Sequence, residues 1–237
     1  MAEHIHTIPV LDALRDPKGC AFCQMQAKLD NDIIQFIMGP AYMEDDVRMA
    51  TNKAGFCQKH MQAMYKEQNR LGLALMLHTH MQRLCKDTGN IIEGRIPLPL
   101  FGKDKNAMLP RLTTHLENTK DSCYVCSRTD KTFDRYVDTF FHIWGQGGEG
   151  AKLIANQESY CLPHFITLLE GAEKLSRNKK EKFLDIILPL WQKMTKDLEE
   201  DLDWFVQKFD YRNANEPWKN SKDALPRAIH FLGGGDQ

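Results

Sequence analysis

The sequence predicts an all-α protein built by internal duplication, and three observations carry that prediction. Apolar residues recur at three- and four-residue intervals over long stretches, which is the period of a helix with one buried face. Almost no stretch alternates with a period of two, as a half-buried strand would. A thiol–imidazole pattern also occurs twice, as C-x2-C-x33-C-x2-H at Cys20, Cys23, Cys57 and His60, and as C-x2-C-x34-C-x2-H at Cys123, Cys126, Cys161 and His164. The cysteines shift by 103, 103 and 104 residues and the histidine by 104, so one inserted residue accounts for the difference. The expected repeat is helix, short helix, long helix, with the thiols and imidazoles at helix starts. On this reading 1–86 is the first repeat, 87–119 a connecting crossing, 120–209 the second repeat and 210–237 a tail that docks on the body.

Taken in order, residues 1–19 read as an extended lead-in, with Asp16-Pro17-Lys18-Gly19 as the turn that delivers the first thiol pair. Met25, Leu29, Ile33, Phe36 and Ile37 then predict a helix, stopped by Gly39-Pro40. A shorter helix over about Tyr42 to Thr51 is expected to turn Met43, Val47 and Ala50 inward. Its Glu44-Asp45-Asp46 triplet falls in the first turn, where carboxylates suit the helix dipole. After Cys57 a long helix is predicted to about Lys86, buried on most sides over Leu71–Leu77, with Gly72 allowing close packing. His78 and His80 fall about 200° apart on that helix and cannot chelate one ion together. Residues 87–110 carry Gly89, Gly94, Pro97, Pro99, Gly102 and Pro110, and read as an ordered crossing that buries Leu98, Leu100 and Phe101.

The second copy repeats this layout. Phe133, Tyr136, Val137, Phe140, Phe141 and Trp144 predict a helix that ends at Gly145-Gln146-Gly147-Gly148. That glycine run follows a helix and lacks a Lys-Ser/Thr pair, so it is no phosphate loop. A short helix through Leu153 and Ile154 leads to Tyr160-Cys161, and Phe165, Leu168, Leu169, Ala172 and Leu175 follow His164 at helical spacing. A last long helix, Lys180 to Phe209, is expected to bury Phe183, Ile187, Leu190, Trp191, Met194, Leu198, Leu202, Phe205 and Phe209, with a kink at Pro189. Trp218 and Phe231 predict that the tail docks back, with a short helical piece near Ala224 to Phe231.

Composition narrows the function classes. With 237 residues, 42% of them apolar, the chain can bury a sizeable core. Its 31 basic and 32 acidic side chains leave a formal charge of −1, which supplies no general attraction to nucleic acid or an anionic membrane. Local basic clusters at Lys174, Arg177, Lys179, Lys180 and Lys182, and at Arg128, Lys131 and Arg135, are interleaved with acidic residues, so nucleic-acid binding ranks last. No apolar run approaches the roughly 20 residues that span a bilayer. Met1 to Arg15 does not read as a signal peptide. Seven cysteines, six of them in the duplicated pattern, are the usage expected of a cytoplasmic metal or redox protein rather than a disulfide framework.

Three thiols and an imidazole make a four-ligand set for Zn(II), whose structural sites are closed and tetrahedral. C-x2-C lets two sulfurs converge on one ion, and the start of a helix favours thiolate over thiol. The expected grouping is Cys20, Cys23, Cys57 and His60 at one zinc ion and Cys123, Cys126, Cys161 and His164 at a second. The alternative cofactor is an iron–sulfur cluster, which also suits sulfur-rich sites. Neither thiol pair sits in a βαβ pattern, so thioredoxin-like chemistry fits poorly. Ala2-Glu3-His4 offers a square-planar Cu(II) or Ni(II) set if Met1 is removed, and a frayed end is the plainer reading.

At these residues the chain resembles a family of uncharacterised bacterial proteins, common among anaerobic Firmicutes and related bacteria. The resemblance rests on Gly55-Phe56-Cys57-x-x-His60, Tyr160-Cys161-x-Pro163-His164, Asn69-Arg70-Leu71-Gly72 and Phe209-Asp210-Tyr211-Arg212. It spans most of the chain and implies the twin ligand pattern, without an activity.

The reading that follows is a zinc-stapled helical scaffold for a protein or small-molecule partner. The competing one is a redox protein or metalloenzyme using a labile metal thiolate or an iron–sulfur centre, with Cys85 as a nucleophile or extra ligand. No catalytic residue is identified, and the balance is against an enzyme. Cys85 itself reads first as an apolar filler.

Overall fold

The computed structural model describes residues 5–17, 19–94 and 105–235, and among these every regular element is a helix. The first is α1, Thr7–Arg15, where an extended lead-in was expected. Pro9 stands in its first turn, where the missing N–H has no partner to lose, and Val10 and Leu14 are buried one turn apart. The helix after the first thiol pair is α2, Ala21–Met38, ending at Gly39-Pro40 as predicted. A 3-10 turn, Pro40–Met43, leads into α3, Asp45–Ala54. Val47 turns inward on α3, but Met43 falls in the turn and is exposed.

The long helix predicted from Cys57 is two helices, α4 Gln58–Lys66 and α5 Arg70–Ile92. The break is made by Asn69, whose side chain accepts from the Gly72 N–H at 2.8 Å and donates to the Met38 carbonyl at 2.8 Å. A Cβ on Gly72 would lie 2.6 Å from that side chain, so this glycine makes room for the cap. The apolar run beyond it is only half buried: Leu73 and Met76 face in, whereas Leu71 and Leu75 are exposed. Within the expected crossing, α5 continues to Ile92 and α6, Lys105–Lys120, carries Pro110 inside it. Leu98, Leu100 and Phe101 lie outside the described residues, as do Ala2-Glu3-His4 and Lys18.

The second half runs α7 Tyr124–Gln146, α8 Gly148–Ala155, α9 Leu162–Ala172 and α10 Arg177–Gln207. Its order of long, short, short and long helices matches that of α2 to α5. Phe183, Ile187 and Leu198 of α10 are buried, but Phe209 lies past its end and is exposed. In the tail, α11, Ala224–Gly233, packs on α9 and α10. Phe231 meets Trp191 at 5.0 Å, and Trp191 stacks on Phe165 at 4.0 Å.

The chain forms two compact units, residues 1–28 with 132–237 and residues 29–131. Each is drawn from both halves of the sequence. The first unit has an aromatic core of Phe22, Phe133, Phe140, Tyr160 and Phe183. The core of the second is aliphatic and methionine-rich, with Ile34, Ile37, Val47, Met64, Leu73 and Met76 packed with Phe56 and Tyr124.

Candidate metal centres

The eight predicted ligands stand at helix starts. Cys57 and Cys161 are the N-cap residues of α4 and α9, in nearly the same extended conformation, φ −74° and ψ 164° or 160°. His60 and His164 follow in the first turns. Pro163, at the start of α9, presets the backbone there. Cys20 and Cys123 immediately precede α2 and α7, and Cys23 and Cys126 lie in their first turns. Gly55 sets the approach to Cys57: its φ is +62°, and a Cβ would fall 2.7 Å from the His80 ring. Only glycine satisfies both demands.

These ligands assemble into two groups of four, but not the groups expected. One consists of Cys20, Cys23, Cys161 and His164, in the first unit; the other of Cys57, His60, Cys123 and Cys126, in the second. Each joins the C-x2-C of one copy to the C-x2-H of the other. The path of the helices explains it: the part of α2 beyond Cys23 carries the chain roughly 22 Å away, and α3, roughly 15 Å long, does not bring it back but leads to Cys57 beside Cys123 and Cys126. The same holds for the 23 residues of α7 and the 8 of α8. Backbone links secure the exchange: Cys20 forms a parallel β-bridge with Ser159, and the Tyr124 N–H donates to the Gly55 carbonyl at 2.9 Å.

All four ligand atoms of each group lie within 4.8 Å of one another. In the first, Cys23 Sγ is 3.5 Å from Cys161 Sγ, and His164 Nδ1 is 3.1 to 3.4 Å from the three sulfurs. In the second, Cys57 Sγ is 3.8 Å from Cys126 Sγ, and His60 Nδ1 is 3.3 to 3.4 Å from its three sulfurs. A tetrahedral ion bound at about 2.3 Å to sulfur and about 2.0 Å to nitrogen has edges of roughly 3.5–3.8 Å. The sulfur–sulfur distances fall on those edges, and the sulfur–nitrogen distances lie slightly inside them.

The surroundings of the two groups differ. His60 Nε2 lies 3.1 Å from Asp30 Oδ2, and that carboxylate also takes Lys59 Nζ at 2.7 Å and the Thr129 hydroxyl at 2.7 Å. His164 instead packs between Phe22 and Phe133, with ring centroids 5.6 and 5.4 Å away. Asp30 and Phe133 are equivalent positions, each seven residues beyond the second cysteine of its pair. All four ligands of the first group are buried, whereas Cys57 and Cys126 of the second are half-buried. Gly234 closes over the first group, where a Cβ would lie 3.4 Å from Cys161 Sγ and 3.8 Å from Cys23 Sγ.

Electrostatics shows why a cation would suit each. Hydrogen bonds from Cys161 and Cys23 hold the Cys20 thiol far below its usual range, while Cys161 and Cys20 push Cys23 far above it. In the second group burial opposes ionisation of Cys123, but His60 and the backbone N–H groups of Cys126 and Cys57 bring it down to about 6. Cys126 is pushed up by its burial and by Cys123. His60 rises to about 10, first through Asp30 and then Cys123; His164 rises to about 9, burial opposing and Cys161 and Cys20 prevailing. Asp30 stays ionised despite its burial, held low by His60, Lys59 and Thr129. Three thiols confined together cannot all ionise without a compensating charge, and a divalent ion would supply it.

The other residues singled out in the sequence do not join these groups. Cys85 is exposed rather than an apolar filler. His80 Nδ1 lies 2.8 Å from the Asn52 carbonyl, and the Glu44-Asp45-Asp46 triplet is exposed. Lys174, Arg177 and Lys180 pair with Asp138, Glu181 and Glu173. Among the described residues no third such group of ligands forms. Asp30 was not anticipated. Its only sequence signal is its place two turns beyond Cys23 on the same helix face.

No curated protein and no solved structure matches the chain. A family model does match, over residues 1–237, and it describes a family of unknown function, DUF6062. The twin ligand groups and this match across the whole length agree with the resemblance seen at the ligand motifs, and the chain belongs to that family.

Proposed function

We propose that the protein is a helical scaffold stapled by two zinc ions, one in each compact unit, that serves as a seat for a partner. The observation that carries this reading is the pair of Cys3His groups, each at the spacing of a single tetrahedral ion. Single-ion spacing favours zinc over an iron–sulfur cluster, whose bridging sulfides hold protein ligands further apart. Cys20, Cys23, Cys161 and His164 would hold one ion and Cys57, His60, Cys123 and Cys126 the other. The ion would supply positive charge and fixed geometry, binding the starts of α2 and α9 in one unit and of α4 and α7 in the other. Because structural metal free energy is folding free energy, these ions would stabilise the fold directly. Thiolate ligands need a reducing compartment, which supports a cytoplasmic location.

A small-ligand role has a place to act. A cavity of about 520 Å³ adjoins Cys161, and Lys193, Asp197, Arg227 and His230 line it beside the apolar Met194 and Phe231. Its size and mixture of polar and apolar walls suit a small organic molecule. The duplicated spacing and matching helix order support an origin by duplication, with repeats at 1–86 and 120–209, a connection at 87–119 and an added tail at 210–237.

Elemental analysis with an absorption spectrum, on protein purified without oxygen, tests the reading. Two zinc ions per chain and no visible band are expected. Iron with sulfide and a broad visible band would replace it with redox chemistry, and protein without metal would overturn it.

A further inference from the structure

We infer that the two centres have different tasks: the first is a permanent staple, and the second is an exchange site that passes its metal ion to an incoming thiolate ligand. This rests on the two-ion reading and adds a function to one of its sites. Three independent features separate the centres. The first group is buried at all four ligands, while Cys57 and Cys126 of the second are half-buried, their sulfurs 3.8 Å apart on one edge. Gly234 covers Cys161 and Cys23 at the first group. Finally, a carboxylate backs the imidazole of the second group, where the first has aromatic rings.

Together these give the second centre two held ligands and two yielding ones. His60 and Cys123 are buried; Asp30 Oδ2 stands 3.1 Å from the imidazole Nε2, and Lys59 and Thr129 hold Asp30. Cys57 and Cys126, only half-buried, are the two that an incoming group would reach first. An incoming thiolate would enter at that edge as Cys57 or Cys126 leaves and takes up a proton, so that one metal–sulfur bond would form as another breaks with no electrons transferred. His60 and Cys123 would hold the ion until both yielding thiolates are replaced, and further incoming ligands would then displace them to release it. Asp30 is a positioning residue in this exchange, acting through His60.

The test uses the full-length, metal-replete protein, a chromogenic pyridylazo chelator to follow zinc release, and N-ethylmaleimide with peptide mapping to follow the thiols. The expected result is two phases, with one equivalent leaving at least tenfold faster than the other. Cys57 and Cys126 should be labelled during the fast phase, while Cys20, Cys23 and Cys161 stay protected; exposed Cys85 should react at the outset. Asp30→Asn should accelerate the fast phase alone, and Asp30→Glu should restore part of the difference, which a general loss of stability would not do. Release of both equivalents in one phase, or fast-phase labelling of Cys20, Cys23 or Cys161, would overturn the inference. Total zinc after unfolding separates the two ideas: two per chain with a single phase removes only the division of tasks, and none removes the metal reading as well.

Discussion

Lys208 shows how much one side chain can organise. It is buried after the end of α10, and its ammonium donates to the carbonyls of Asn213, Ala214 and Glu216 at 2.6, 3.0 and 2.6 Å. Three donors meet three acceptors, so the charge is fully hydrogen-bonded. Lys208→Met should leave those carbonyls short of partners and cost about 2–3 kcal/mol, read as a melting temperature lower by several degrees. At the first centre, Cys161→Ser should remove a buried ligand and lower the melting temperature by about 10 °C or more, with loss of one zinc ion. An unchanged melt in that variant would argue against a structural metal. Ligand residues are legible in a sequence because C-x2-C and C-x2-H are geometric requirements of one ion. Asp30 and Lys208 are not, because their partners come from distant residues or from irregular backbone.

Among the elements, helices with a regular apolar stripe were legible and the others were not. The course of α2 and α7 follows from Ile33, Ile37, Phe133, Phe140 and their neighbours. By contrast, α1 and α6 carry Pro9 and Pro110, which obscure helices that tertiary packing nonetheless supports. The division between α4 and α5 was written in Asn69-Arg70-Leu71-Gly72, but an N-cap inside an apolar run is hard to tell from a polar residue on a continuous helix. Two glycines provide a contrast at this scale. Gly55→Ala should destabilise by about 2 kcal/mol, since it adds a Cβ at positive φ against His80. Gly89→Ala, within α5 and with nothing within 4 Å of the new Cβ, should stabilise by about 0.5–1 kcal/mol. Chemical denaturation of the two variants beside the parent checks both signs.

For the molecule as a whole, the ligand groups exchange halves between the two copies. Spacing alone could not reveal this, because nearly equal gaps in both copies are compatible with either pairing. Helix length alone could not decide it either, since the residues between Met38 and Cys57 would outreach α2 if extended. The interleaving makes each compact unit depend on both halves of the sequence. Neither copy by itself holds a complete ligand group, so the duplicated pattern in the chain and the candidate ligand groups in space are different divisions of one molecule. The most direct test is zinc per chain in two double variants. Cys20→Ser with Cys161→Ser strikes one centre twice and should leave one zinc ion, whereas Cys20→Ser with Cys57→Ser strikes both centres and should leave none. The reverse, no zinc in the first variant and one ion in the second, would contradict the exchanged pairing.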